Sequence, residues 1–80
     1  MPTKILVGNV ILKLRSLHKI TQEELAARCS LTPNSISKLE RNISEPNFET
    51  ILKLAKAFDM KASEFIKEIE ESLEMAQDLD

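Results

Sequence analysis

Residues 21–41 read TQEELAARCSLTPNSISKLER and contain the start signals of two short helices. Thr21 is followed three residues later by Glu24, which is the spacing of a capping box at a helix start. Thr32 precedes Pro33, a pair typical of an N-cap and a first helical position, where proline needs no hydrogen-bond partner for its nitrogen. Because very few residues separate the first helix from the second cap, the sequence predicts a helix-turn-helix.

Apolar residues at helical spacing predict three more helices around this motif. The first covers about residues 7–19, the fourth residues 47–58, and the fifth begins near residue 62 and continues to about residue 79. Leu, Ile, Ala, Glu and Lys, which favour helix, dominate the composition. We therefore expect an all-α fold, a compact five-helix domain with an extended C-terminal helix.

The length and the reactive side chains limit the possible functions. Eighty residues predict one domain, residues 1–80, with room for one core. The single Cys29 has no disulfide partner, and neither a signal peptide nor a membrane-spanning apolar run is apparent, so we expect a cytoplasmic protein. The single His18 is expected to be partly buried, and Cys29 to fill a small apolar space. Without a nucleophile motif, metal-ligand cluster or phosphate loop, we expect neither enzymatic activity nor a metal or other cofactor.

The overall net charge of −2 conceals an uneven distribution. Residues 1–61 carry ten basic and six acidic groups, whereas residues 62–80 carry one basic and seven acidic groups. A basic body with an acidic C-terminal helix fits a protein that binds DNA with its body and points its tail away from phosphate. A purely solvated acidic helix face is the alternative, and the two interpretations are compatible.

The ordered residues of the motif and its flanks resemble the phage repressor/Cro-type helix-turn-helix family, also called the xenobiotic-response-element type. The matching residues are TQEELA at 21–26, Arg15, Leu31, Ser35-Ile36-Ser37, Leu39-Glu40-Arg41, Pro46, Thr50, Leu52 and Leu54-Ala55. The resemblance covers about residues 7–66. It implies a lambda-repressor-like DNA-binding domain that recognises double-stranded DNA sequence-specifically.

The third helix is expected to enter the major groove with its N-terminal half first, because a helix fits this groove and meets base edges there. The resemblance implies the same positions as base readers. The expected base readers are Pro33, Asn34, Ser35, Ser37 and Lys38. Asn34 can bond adenine in bidentate fashion, Lys38 can reach guanine or a phosphate, and Pro33 can offer only apolar contact.

A second set of residues is expected to contact the DNA backbone, partly through helix N-termini. These residues are Thr21, Gln22, Thr32, Arg41 and Asn42. The resemblance also implies a structural pair of Arg15 and Glu40, which would neutralise a carboxylate close to phosphate.

The sequence departs from the family at the helix ends, where the family usually places glycine. These positions hold Lys19, Ser30, Asn42 and Asp59. A left-handed backbone is unfavourable for residues other than glycine, less so for Asn and Asp, so Lys19 and Ser30 are expected to be the weak turns. Lys61 stands where serine often caps the fifth helix, which leaves the start of that helix open to within a turn.

One helix-turn-helix reads only a few base pairs, so we expect a homodimer on an inverted repeat. The expected dimer interface is Ile66, Ile69, Leu73 and Ala76 on the fifth helix, together with Ile5, Leu6 or Val10. The alternative is that this helix packs back on its own core. Two functions remain open: a stand-alone regulator, such as a repressor or a restriction–modification controller, and an antitoxin that also binds a toxin protein.

Overall fold

The computed structural model describes the backbone of residues 6–78 and the side chains of residues 6–73. This part of the chain contains helices only, which confirms the expected all-α class. The five helices are α1 Gly8–His18, α2 Gln22–Cys29, α3 Pro33–Glu40, α4 Phe48–Ala57 and α5 Ala62–Asp78. Leu79, the expected end of the last helix, lies outside the described residues. Among the described helices none is long and apolar enough to cross a membrane.

The helix starts lie where the capping residues predict them. The Thr21 hydroxyl accepts the backbone N–H of Glu24 at 3.1 Å, and the Glu24 carboxylate accepts the backbone N–H of Thr21 at 3.1 Å. Thr32 caps α3 ahead of Pro33, and Asn47 caps α4 by accepting a backbone N–H at 2.8 Å. These side chains satisfy donors that a helix end leaves unpaired.

The start of α5, which the sequence left open, is fixed by an acidic side chain. Glu64 accepts the backbone N–H of Lys61 at 2.8 Å, so α5 begins at Ala62 directly after this bond. This is the second half of a capping box, in which the carboxylate reaches back to the residue before the helix. A serine at the cap position is therefore not needed to define the start of the helix.

The four helix-end positions at which this chain lacks the usual glycine all adopt a left-handed backbone. The φ angles are 56° at Lys19, Ser30 and Asp59, and 59° at Asn42. At Lys19 and Ser30 the backbone N–H groups bond carbonyls of the preceding helical turn, so the geometry is that of a normal helix end. The strain at these two positions belongs to the side chain, because a Cβ crowds the backbone in this conformation.

One apolar core joins the five helices. Helix pairs α2 and α3, α2 and α4, α4 and α5, α1 and α3, and α1 and α5 pack against each other. Phe58 and Phe65 are almost fully buried and link the end of α4 to α5. Cys29 is buried as expected, and this burial raises the pKa of its thiol. His18 is exposed, so the expectation of partial burial is wrong; only its ring contacts the core, 5.2 Å from the Phe58 ring centre.

The start of α1 is held by the turn that follows α3. Val7 supplies no side-chain cap to α1, and the N–H of Gly8 instead donates to the side-chain oxygen of Asn42 at 3.0 Å. Gly8 lies so close to this turn that an added Cβ would overlap the Glu40 carbonyl oxygen and approach Asn42 Oδ1 to 2.7 Å. The single glycine of the chain is thus required by close packing and not by its backbone angles.

We predict that Gly8→Ala destabilises the protein by about 1–3 kcal/mol, because α1 and the turn after α3 must move apart to admit the methyl group. Alanine has a higher helix propensity than glycine, so propensity alone would predict that the variant is more stable than the wild type. Chemical denaturation measures the change. The control is Asn9→Ala at the exposed neighbouring position, which should be neutral or slightly stabilising. If Gly8→Ala changed the free energy of unfolding no more than Asn9→Ala does, this result would contradict the close contact at residue 8.

We predict that Lys19→Gly and Ser30→Gly each stabilise the fold by about 0.5–1 kcal/mol, since relief of the left-handed strain exceeds the entropy that glycine adds to the unfolded chain. Thermal unfolding should show Tm higher by a few degrees for each variant. Asp59→Gly is the control, because aspartate tolerates this conformation and the gain should be smaller. A lower Tm for both glycine variants would show that their side chains contribute more than the strain removes.

Candidate nucleic-acid interface

The outer face of α3 presents the five expected base readers. Ile36 and Leu39 anchor the helix in the core with 0% and 5% exposure, so the opposite side of the helix faces away from the body. Pro33, Asn34 and Lys38 are exposed, whereas Ser35 and Ser37 are half-buried. The five residues, Pro33, Asn34, Ser35, Ser37 and Lys38, thus occupy one helix of fixed orientation. A rigid helix with short polar side chains at its start has the shape that a major groove admits.

The hydroxyl groups at the start of α3 already form hydrogen bonds with each other and with the backbone. The Thr32 hydroxyl donates to Ser35 Oγ at 3.0 Å and accepts the Ser35 backbone N–H at 3.1 Å. Thr32 therefore has its proton committed to the cap, and a phosphate contact from this hydroxyl would require the cap to rearrange. Asn34 and Lys38 have no such engagement among the described residues, which leaves their donors available to a ligand.

The last residue of α3, Glu40, carries a buried carboxylate that links α3 to α1 and α2. Glu40 accepts from Arg15 Nε at 2.5 Å and from Arg15 Nη2 at 3.2 Å, so the expected pair is present in bidentate form. Arg15 also donates to the backbone oxygen of Ile20 at 3.1 Å. The side chains are 20% exposed for Arg15 and 5% exposed for Glu40. The guanidinium therefore neutralises the one buried charge of the described residues.

Gln22 belongs to the same network. Its side-chain Nε2 donates to Glu40 Oε1 at 2.5 Å, and the residue is half-buried at the start of α2. One amide proton is thus used inside the protein, while the second proton and the carbonyl oxygen remain for other partners. Gln22 is placed at the N-terminus of α2 with a fixed side-chain direction, beside the exposed Thr21, whose hydroxyl donates no hydrogen bond within the part of the chain that the structure describes.

Arg41 and Asn42 follow α3 but differ in what they can offer to DNA. Arg41 is exposed, with one long hydrogen bond of 3.4 Å from Nε to the Ser37 carbonyl. Asn42 is half-buried, and its side-chain oxygen accepts from Gly8. The sequence places Asn42 at a helix end and among the phosphate contacts, and the structure adds a hydrogen bond to the start of α1 that its side chain must keep. Its amide group still carries donors for a phosphate.

Two cations, Lys38 and Arg41, lie on the exposed side of α3 and at its end, and one anion, Glu45, lines the same shallow pocket as Lys38. Among the described side chains the ion pairs are Lys13–Glu68, Arg15–Glu40 and Lys53–Glu49. Neither Lys38 nor Arg41 takes part in one of them. Two cations without an intramolecular counterion therefore flank the outer face of α3, and such groups attract phosphate by releasing its counterions.

The expected dimer interface on α5 is only partly exposed. Ile66 is 36% exposed, but Ile69 is 5% exposed and belongs to the core, and Leu73 is half-buried against the same core. Assigning Ile69 to an exposed surface is therefore wrong: α5 packs against α1 and α4, and the chain's own core uses this position. Val10 is buried for the same reason. Ala76 and Ile5 lie outside the side chains that the structure describes.

Sequence reasoning missed an exposed apolar pair on α4. Phe48 and Leu52 are 66% and 43% exposed, although both are large apolar side chains. The buried face of α4 is formed by Ile51, Leu54 and Ala55. The available signal was the position of Phe48 in the first turn, off that inward stripe.

Comparison with known proteins places this geometry in a family. A family model described as helix-turn-helix matches residues 11–65, which is more than half of the chain. An uncharacterized HTH-type transcriptional regulator of Sinorhizobium fredii is 32% identical over 72 residues, covering 90% of this chain and 94% of that protein. A longer HTH-type regulator of the same organism is 38% identical over 47 residues, and the match spans only 24% of its length.

Two solved structures have the same fold. The P22 c2 repressor protein, in complex with a synthetic operator, superposes with a TM-score of 0.67 at 33% identity, covering 75% of this chain and 91% of that one. The wild-type restriction-modification controller protein C.Esp1396I superposes with a TM-score of 0.76 at 26% identity, covering 86% of this chain and 88% of that one. The chain therefore belongs to the Cro and phage-repressor type of helix-turn-helix family, as its sequence predicts, and this is a family of DNA-binding regulators rather than of enzymes.

Proposed function

We propose that this protein is a transcriptional regulator of the repressor or restriction–modification controller type, which binds double-stranded DNA sequence-specifically as a homodimer on an inverted-repeat operator. The observation that carries the proposal is the outer face of α3, where Asn34, Lys38 and Arg41 are exposed and no ion pair of the described residues involves the two cations. The structural likeness to the P22 c2 repressor, which was solved with an operator, supports it.

The first turns of α3 supply the base readout in this proposal. The Asn34 amide reads an adenine through one donor and one acceptor, and Lys38, one turn further on, reaches guanine acceptors or a phosphate. Pro33 offers apolar surface to a thymine methyl group. Ser37 is short and half-buried, so it contacts DNA only where the wall of the groove comes close to α3.

The residues around the helix starts hold the DNA backbone. Gln22 and Thr21 present donors at the N-terminus of α2, whose backbone N–H groups and partial positive charge favour a phosphate. Arg41 and the free amide protons of Asn42 supply a second phosphate contact at the other end of α3. These contacts fix register and orientation, while the readers on α3 determine sequence.

The remaining features fit a regulator that acts in the cytoplasm without a cofactor. The acidic residues of positions 62–80 repel phosphate, so the DNA meets the basic body of the chain. In this proposal regulation depends on the concentration of the protein. The alternative function is an antitoxin, whose DNA binding accompanies the binding of a toxin protein.

We predict that purified protein selects an inverted-repeat consensus from a pool of random duplexes, and that its affinity falls steeply between two salt concentrations. Sequencing of the bound fraction gives the operator, and binding titrations give the salt dependence. Salt-sensitive binding with no consensus would contradict sequence-specific regulation by the chain alone, and would favour a partner-dependent protein such as an antitoxin.

We predict that Asn34→Ala and Arg41→Ala weaken operator binding in different ways. Asn34→Ala removes a base reader, so it should weaken the free energy of operator binding by about 1–3 kcal/mol and relax the base preference at one position of each half-site. Loss of the phosphate contact should weaken all sequences alike and lower the salt slope by about one unit. Lys67→Ala removes an exposed cation on α5 and is the control. A uniform loss for Asn34→Ala, with the sequence preference intact, would remove this residue from the base readers.

A further inference from the structure

A carboxylate stands beside one of the expected base readers. Glu45, in the loop between α3 and α4, lines a shallow pocket of about 170 Å³ together with Lys38 of α3. Both side chains are exposed. The ion pairs among the described side chains include neither of them. The pocket therefore offers a cation and an anion side by side to a ligand that meets the outer face of α3.

The backbone holds Glu45 at this place. The carbonyl oxygen of Lys38 accepts the backbone N–H of Ile43 at 2.9 Å and that of Ser44 at 3.4 Å, so the loop folds back against α3. On the other side of Glu45, Pro46 is buried, and the residue before a proline is restricted to an extended backbone. Glu45 lies between these two anchors. Its position relative to Lys38 is therefore set by the protein before any DNA is bound.

The carboxylate changes what Lys38 can bind. A lysine by itself is a donor for a phosphate oxygen as well as for guanine. Phosphate is negatively charged, and an ionised carboxylate can only accept hydrogen bonds, so Glu45 repels a phosphate group that approaches Lys38 through the shared pocket. A base edge is neutral and is not repelled in this way. Of the two ligands expected for Lys38, the neighbouring Glu45 therefore favours a base.

The two side chains together match one kind of base pair. In the major groove a G·C pair presents the acceptors N7 and O6 on guanine and the N4 amino donor on cytosine. Lys38 supplies only donors and Glu45 only acceptors, which is the complementary pattern. In an A·T pair the donor lies on the purine between two acceptors, and the thymine methyl group would face the charged side chains without bonding them. The pattern therefore favours G·C.

We propose that Glu45 is a further base reader, and that Lys38 and Glu45 together recognise one G·C base pair in each half-site. Lys38 donates to guanine O6 and N7, and Glu45 accepts from cytosine N4. The inference rests on the proposed function, because it names a base pair of the operator that the regulator reads. Glu45 contributes specificity rather than affinity, since its repulsion of phosphate acts on every sequence and only the matching base pair offsets it.

The test combines selection of duplexes from a random pool with binding titrations at one salt concentration. The relevant base pair is the one whose preference Lys38→Ala relaxes. The wild type should prefer G·C over A·T there by at least about tenfold. Glu45→Ala should lower this preference at least about fivefold, because cytosine N4 loses its acceptor, and it should bind unrelated DNA more tightly than the wild type does.

Glu49→Ala is the matched control. Glu49 carries the same charge and is exposed in the first turn of α4, but it does not line the pocket. Both variants remove one negative charge, so both should gain affinity for unrelated DNA. Only Glu45→Ala should lose the preference for G·C. All the substituted side chains are exposed, so the variants should fold, and circular dichroism checks this.

The possible failures distinguish this inference from the proposed function. A Glu45→Ala variant with the wild-type preference, or with the same behaviour as Glu49→Ala, overturns the inference. So does a Lys38→Ala variant that loses affinity for all sequences alike, because Lys38 then contacts phosphate, and so does a relaxed base pair that is A·T. In these cases the wild type still selects a consensus, and the proposed function stands. A wild-type chain that selects no consensus overturns both proposals.

Discussion

The fold depends on how one buried carboxylate is satisfied. Glu40 is the last residue of α3, and its two oxygens accept hydrogen bonds from Arg15 on α1 and Gln22 on α2. A buried charge without partners is strongly unfavourable, so the three helices must keep the arrangement that supplies these donors. Removal of one partner would leave the others unsatisfied in a poorly solvated place. The network is therefore a constraint on orientation as well as a contribution to stability.

This constraint determines what α3 can present to DNA. With Glu40 held inside and neutralised, the only charges left on the exposed side of the helix and its end are those of Lys38 and Arg41. The same network fixes Gln22 at the start of α2, so the proposed phosphate contacts and the proposed base readers share one support. A shift of α3 by a fraction of a turn would alter both sets together. The proposed readout by short side chains such as Ser37 depends on this precision, because short side chains cannot adapt to a changed distance.

Much of this arrangement could be predicted from the sequence, because it rests on local chemistry. The caps at Thr21 and Thr32 and the left-handed turns at Lys19 and Ser30 follow from side-chain type and position. The sequence did not show that a side chain proposed to contact DNA also forms a structural hydrogen bond within the protein. Asn42 caps α1 across 34 positions of sequence separation, a contact that only the folded chain creates.

The placement of Ile69 in an exposed surface of α5 is wrong for a related reason. Helical periodicity shows that Ile69 faces something apolar, but it cannot tell whether this is the protein's own core or a partner. The core of a chain this small is built from all of its helices, and α5 contributes its inward stripe. Phe48, by contrast, lies outside the buried apolar stripe of α4. The sequence alone does not show whether another part of the protein buries such a side chain. Burial in the structure separates the two cases.

The separation of charge along the chain links these observations. Cations without intramolecular partners lie around α3, and an excess of carboxylates lies in residues 62–80. Such a molecule is oriented by the field of a DNA duplex before contact, although only within about a Debye length at physiological salt. The same distribution limits where two copies can meet, because both the basic and the acidic regions repel themselves.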